Sequence, residues 1–215
     1  MNANSFSQSL RERTWSNHSD SEGADFMSDL MSGNGTREDY VALVAQHYFI
    51  YVALETAAER FAEDPTAAAF ITPELSRVPA LEADLEFLIG ADWRGSITPV
   101  PAAERYVDRI EEVAAEGWAG GFIAHHYTRY MGDLSGGQHI SKLMKRQFGF
   151  EKSGVDFYLF DRIADPTAFK NTYREQLDAV EWDAAERERV IEEVVAAYRF
   201  NTELFVDLSK AKAAA

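Results

Sequence analysis

The stretch Tyr127-Thr128-Arg129-Tyr130-Met131-Gly132-Asp133-Leu134-Ser135-Gly136-Gly137-Gln138-His139 decides how this chain is read. Helical patterning enters it from Phe122 and leaves it through Ile140, Leu143 and Met144. Gly132, Gly136 and Gly137 therefore sit inside a helical pattern, where each costs about 1 kcal/mol relative to alanine. One reason for such a cluster is close approach of a flat object to the backbone, because glycine has no Cβ in the way. Gly132 and Gly136 are four apart and face the same side of a helix. A kinked, glycine-paved helix can thus lie across a planar macrocycle. The other reading is a helix that ends at Gly136-Gly137 and turns into a second one.

Outward from this stretch the periodicity stays helical. Tyr40, Leu43, Val44, His47, Tyr48, Tyr51, Leu54, Ala58 and Phe61 recur at three- and four-residue steps and predict one apolar face of a long helix. Thr36, after Ser32-Gly33-Asn34-Gly35, is its expected N-cap. Asp64-Pro65, Thr72-Pro73, Thr98-Pro99 and Asp165-Pro166 read as further helix starts, with a capping oxygen followed by proline at the first position. Asp183 with Glu186 suggests a capping box opening a last helix over about residues 184–209, which buries Val190, Val194, Ala197, Tyr198, Asn201, Phe205 and Leu208. The only strand candidate, Phe157 to Phe160, is short and isolated. The expectation is one all-α domain over residues 1–210, a bundle of about eight helices, with a disordered tail at 211–215.

Composition narrows the function. With 21 Lys and Arg against 36 Asp and Glu, the formal net charge of −15 repels phosphate backbones and argues against nucleic-acid binding. The absence of cysteine excludes disulfides, thiolate-ligated heme and cysteine metal sites. No signal peptide and no bilayer-spanning run of about 18 apolar residues is apparent. A cytoplasmic protein, not inserted in a membrane, is expected.

The histidines are His18, His47, His125, His126 and His139. None stands in a Glu-x-x-His or His-Glu-x-x-His pattern. His18 and Glu22 share a helix face, so the carboxylate can orient one ring nitrogen while the other binds a metal. His47 and His126 are expected in apolar faces and His125 on the opposite side. His139, directly after the glycines, is a rival ligand. Lys170 and Arg174, four apart, make a cationic patch suited to a carboxylate. Leu134-Ser135-Gly136-Gly137-Gln138 also matches the signature of ABC transporter ATPases. The phosphate-binding loop those proteins need is missing, since Gly90 to Ser96 carries Arg94-Gly95-Ser96 without lysine.

Taken together, the His18 region followed by Phe26-Met27-Ser28-Asp29-Leu30, the run His125 to Gln138, and Tyr173-Arg174-Glu175 resemble heme oxygenase. The likeness extends from about Ser9 to Leu208 and looks strongest to the small soluble bacterial enzymes. It implies heme, as substrate and cofactor, sandwiched between a proximal helix bearing His18 and a distal glycine helix. It implies cleavage with O2 to biliverdin, carbon monoxide and ferrous iron, for iron acquisition. His18 would be the metal ligand and Glu22 would fix its ring. Gly132 and Gly136 would line the distal face. Asp133 would anchor the water network that delivers protons, and Arg129 would support it. Ser135 would lie against the cofactor, and Arg11, Tyr127, Lys170 and Arg174 would meet the two propionates. Asn201 and Phe205 would match the family's buried polar residues on the last helix. Electrons would come from a reductase or ferredoxin, docked on a basic strip of Lys142, Lys145 and Arg146. A monomer is expected. Three rivals remain: a heme carrier or sensor that does not degrade its ligand, a bis-histidine electron carrier using His18 and His139, and a helical interaction module. Asp133 in the glycine helix, without a distal histidine, favours the enzyme.

Overall fold

The computed structural model describes residues 5–22 and 24–214, without the side chain of Glu22. Among the described residues there is no strand. The helices are α1 (Phe6–Glu22), α2 (Asp25–Ser32), α3 (Arg37–Arg60), α4 (Val78–Ile89), α5 (Pro101–Glu116), α6 (Ala119–His126), α7 (Gln138–Phe148), α8 (Pro166–Ala179) and α9 (Ala184–Ala214). α6 and α7 are joined without a break by wide π turns at Tyr127–Met131 and Asp133–Gly137. Counted as one rod, they leave eight helices, as the periodicity predicts.

α3 is the central beam. Thr36 caps it as expected, and Asp39 completes a capping box that was not foreseen: Thr36 Oγ1 accepts from Asp39 N at 3.1 Å, while Asp39 Oδ2 accepts from Thr36 N at 2.8 Å. The buried surface is broader than one face, because Ala45, Gln46, Ile50, Ala53 and Ala57 are buried beside the predicted Tyr40, Leu43, Val44, His47, Tyr51 and Leu54. α3 packs on α4, α5, α6 and α9. With a mean hydropathy of 1.3 in its most apolar stretch, it is long and apolar enough to cross a membrane by composition. That corrects the expectation that no such run exists; the buried Asp39, Gln46 and His47 mark it as a core helix.

Several predicted helix starts shift. Asp64 Oδ1 accepts from Thr66 N and Ala67 N, but only a short 3₁₀ turn, Ala67–Phe70, follows. Thr72-Pro73 opens another, Pro73–Leu75. α5 starts at Pro101 instead of Pro99, because Gln46 of α3 holds the approach extended: its Nε2 donates to Thr98 O and its Oε1 accepts from Val100 N. Asp165 caps α8 as predicted, accepting from Thr167 N and Ala168 N. Asp183 accepts from Glu186 N at 2.8 Å, whereas the Glu186 carboxylate accepts from Trp118 Nε1, so α9 is tied to the start of α6. α9 runs through Ala214, which corrects the disordered tail expected from 211: Lys212 Nζ pairs with Asp39 Oδ2 at 2.9 Å, and alanine and lysine are strong helix formers. Ala215 lies outside the described residues.

The rod is held from three sides. α9 packs along it, α5 meets α6, and the loop after α7 returns beneath the glycines. Buried Asp84 of α4 fixes that loop by accepting from Gly154 N, Asp156 N and Phe157 N at 2.7–3.0 Å. Arg77 donates to Phe157 O and Leu159 O. Phe157 to Phe160 is therefore a 3₁₀ turn, Asp156–Tyr158, followed by loop. Tyr158 packs under Gly137, where an added Cβ would come within 2.8 Å of Tyr158 Cδ1.

Candidate active site

The backbone of the rod does not turn at the glycines. Gly132 has φ −62°, ψ −53°, and Gly137 has φ −58°, ψ −34°, both right-handed helical. This removes the reading of a helix end at Gly136-Gly137. A π turn adds a residue to the helical repeat and recurs at functional sites. A Cβ at Gly132 or Gly136 would meet nothing within 4 Å, so no packing partner inside the protein requires either glycine.

Two adjoining cavities, of about 420 and 500 Å³, share His18, Tyr198, Gly132 and Gly136 in their walls. His18 on α1 stands on one wall, half-buried. Its ring is stacked with Trp15 at 5.4 Å and lies edge-on to Tyr198 of α9 at 5.6 Å. The bare glycine backbone forms the facing wall. The side chain of Glu22, expected to orient His18, lies outside the described residues. His139 is exposed and lines only the second cavity.

The first cavity is basic at its mouth. Arg11, Tyr127, Ser135 and Arg174 line it. Lys170 Nζ donates to Ser135 Oγ at 3.2 Å, which brings it to the same edge. Burial raises the Tyr127 hydroxyl, while Arg174 and Arg11 pull it back. Burial also lowers Lys170, and Arg174 adds to that effect. Cations held this close repel one another and favour an anion between them.

The second cavity ends on a polar set in which Arg129 and Asn201 are buried and Asp133 is half-buried. Asp133 and Arg129 line it with Asn201, Phe205, Met27 and Met31. Arg129 Nη1 donates to Asn201 Oδ1 at 3.0 Å. Its guanidinium lies 5.1 Å from the centre of the Tyr51 ring. The Tyr51 hydroxyl donates to Asp133 Oδ2. Burial raises the Asp133 carboxyl above its ordinary value, while Arg129 and the Tyr51 bond hold it back. Burial opposes the charge on Arg129, yet Tyr51 and Asp133 sustain it. Phe205 stacks on Phe26 at 6.5 Å and closes the apolar end.

A larger depression of about 580 Å³ lies elsewhere, between α3 and α5; its Glu104, Asp108 and Glu111 form one solvated face. Among the described residues no three of His, Asp or Glu gather to hold a bare metal ion.

Comparison with known proteins fits this geometry. A family model described as heme oxygenase matches residues 4–207. Heme oxygenase 1 of Pongo abelii is 41% identical over 207 residues, covering 95% of this chain and 72% of the relative. Heme oxygenase 1 of Synechocystis is 38% identical over 208 residues, covering 97% and 86%. The chain belongs to the heme oxygenase family. Its likeness reaches mammalian as well as bacterial heme oxygenases. The crystal structure of the Synechocystis heme oxygenase-1 in complex with heme superposes with a TM-score of 0.91 at 36% identity, covering 98% of this chain and 96% of the other. Heme oxygenase from Leptospira interrogans gives a TM-score of 0.89 at 31% identity, covering 94% and 98%. Heme oxygenases degrade heme, and that is the activity of this enzyme.

The heme oxygenase site contains residues that sequence reading missed. Tyr51 was visible only as a core position of α3, and Tyr198 only as part of the buried face of α9. Thr14 and Met131 also line the first cavity. His125 and His126 make structural contacts in the core. His126 Nδ1 meets Tyr173 Oη at 2.9 Å, and burial pushes its pKa down to about 3. His125 is fully buried, and its Nε2 meets Glu193 Oε1 of α9 at 2.9 Å.

Proposed function

We propose that heme lies between His18 and the Gly132–Gly136 backbone, and that Asp133 steers its oxidative cleavage to biliverdin, carbon monoxide and ferrous iron. One observation carries this reading: a half-buried imidazole faces side-chain-free helix across the cavities, with cations at one end and a half-buried carboxylate, bonded to Tyr51, at the other. The residues fit the group. Open space beside Gly132 and Gly136 admits a flat ring, and Arg129 Nε and Nη2, buried at the cavity wall, have no protein partner and suit bridging water.

Heme, when bound, supplies the iron that takes up O2 and electrons, and its own ring is what the oxygen attacks. His18 would hold the iron through one nitrogen and set the position of the plane. Arg11, Arg174, Lys170 and Tyr127 would bind the two carboxylates and fix rotation within the plane. Gly132 and Gly136 would crowd one side only and direct attack to one edge. Asp133, anchored by Tyr51, would hand a proton through water to the reacting oxygen, and Arg129 with Asn201 would hold that water in place. Glu22 remains the proposed partner of His18.

Electrons would come from a reductase or ferredoxin with an acidic surface. Lys142 and Arg146 are exposed on α7, and neither they nor Lys145 pairs with a carboxylate among the described residues, which leaves the strip available. The proposed setting is a cytoplasmic monomer supplying iron. Reconstitution with hemin, followed by reductant in air, tests the reading. The expected result is loss of the Soret band with growth of the biliverdin spectrum. A stable ferrous spectrum would make the protein a carrier or sensor.

A further inference from the structure

Trp15 is the most exposed large apolar side chain among the described residues, at 57%. At that exposure, core packing does not call for an indole. Its one ring partner among those residues is His18, whose imidazole lies 5.4 Å away, centre to centre, and 8° from parallel. The two residues are three apart on α1, which places them on one helix face. Tyr198 of α9 meets the same imidazole edge-on, at 5.6 Å and 74°. Trp15 and His18 both line the first cavity, together with Gly132 and Gly136 of the rod. Trp15 also lines a separate surface hollow with Gln8, Arg11 and Glu12, so the indole stands between the cavity and solvent.

The second side-chain torsion of histidine is broad, so the helix and the first rotamer leave the plane of the ring unset. A metal-bound imidazole is ordinarily oriented by a hydrogen bond to its other nitrogen. Such a bond fixes one atom and tolerates rotation of the plane about the bond axis. A flat indole in parallel contact does not tolerate it. Tilting lifts one edge of the imidazole off the indole and drives the other edge into it. Offset-stacked rings with centres 4.5–7 Å apart are a favoured arrangement, worth a factor of about 2 to about 10 in an equilibrium constant. Tyr198, set nearly at right angles, limits the motion that remains. The indole also keeps water from the imidazole face it covers.

We propose that Trp15 is a positioning residue for the iron ligand: its indole fixes the plane of the His18 ring and covers one face of it. The proposal rests on the heme reading above. Trp15 acts through His18 and not on the reacting oxygen. A ring whose plane is set beforehand loses less freedom when it takes the iron, and so holds it longer. The same restraint narrows the range of geometries open to the bond between His18 and iron.

The test compares the parent with Trp15→Phe, Trp15→Leu and Trp15→Ala. In the heme-free protein, NMR cross-peaks between the Trp15 indole and the His18 ring protons read the stack directly. They are expected in the parent, and from the phenyl ring in Trp15→Phe, with the His18 ring protons upfield in both of their position in Trp15→Leu. A parent without these cross-peaks overturns the stack and the proposal with it. In the hemin-loaded protein, the readouts are the rate of hemin loss to excess apomyoglobin and the iron–imidazole stretching band of the ferrous form. Hemin loss should be about 2- to 10-fold faster in Trp15→Leu and return toward the parental rate in Trp15→Phe. The band should shift or broaden in Trp15→Leu and recover in Trp15→Phe. A parental rate and a parental band in Trp15→Leu overturn the positioning role. If Trp15→Leu does not fold, Trp15→Ala decides by the same readouts. A parent without an iron–imidazole band contradicts the heme reading and removes this role with it. A parental band that survives loss of the indole unchanged removes the role of Trp15 alone.

Discussion

The two walls of the site are built in opposite ways. α1, which carries His18, is tied to the body by Phe6, Leu10 and Thr14 and by contacts at its edges. Ser7 N and Oγ donate to Asp178 at 2.7 and 2.9 Å, and the Arg13–Glu188 pair is about half exposed on both sides. Trp15, stacked on His18, is 57% exposed. The rod opposite is locked instead. Thr128, Arg129, Tyr130 and Met131 are buried, Asn201 and Tyr51 fix the polar groups, and Tyr158 fills the space beneath Gly137. The proton delivery proposed for Asp133 belongs to the more buried wall. The wall proposed to grip the iron is the more exposed one.

The comparison is sharpened first on the locked wall. Asp133→Ala should keep heme and lower biliverdin formation by a factor on the order of 100 or more, read as product per turnover, since general acid–base groups contribute about that much. Parental turnover in that variant would remove the proton role. Next come the glycines, which separate function from packing within one helix. Gly132→Ala and Gly136→Ala place a Cβ in open space and should stabilise the heme-free protein by about 0.5–1 kcal/mol, while weakening heme binding and turnover. Gly137→Ala meets Tyr158 and should destabilise. Thermal melts of the three variants check the ordering, and identical behaviour of all three would erase the distinction.

Acid should loosen the rod through Glu193. Burial opposes its charge, but bonds from His125 and Arg109 outweigh that and hold its carboxyl at about 2, below the ordinary 4.5. A depressed folded pKa gives stability that is complete above about 4.5 and is lost as pH falls through about 2. The size is on the order of 3 kcal/mol. Glu193→Gln should therefore lose stability at neutral pH and show a flatter acid-unfolding profile below pH 5; an unchanged slope contradicts this assignment. The smallest effect belongs to α1. Arg13→Ala should leave the melting temperature and turnover essentially unchanged, as solvated ion pairs do. A clear loss of activity there would mean that this exposed ion pair matters to the site.

Much of this was legible in the sequence because the signals were local. Proline after a capping oxygen marked α8, and Thr36 after a glycine-rich break marked α3. Glycine spacing exposed the paved face. What escaped depended on distant partners. Gln46 takes the backbone around Thr98 and Val100 and so moves the start of α5 to Pro101. Lys212 finds Asp39 and so extends α9. Tyr51 reaches Asp133 from a helix whose periodicity shows only burial. Asn201 was readable by its place on α9, but its bond to Arg129 was not. A pattern along one chain reports faces, and it does not report what meets them across the core.

The most direct measurement is a hemin titration and single-turnover assay of His18→Ala, with and without added imidazole. If His18 grips the iron opposite the glycine wall, the variant will show an altered heme spectrum and lose biliverdin formation, and imidazole will restore both. Normal spectrum and normal cleavage in the variant without imidazole would place the iron ligand elsewhere.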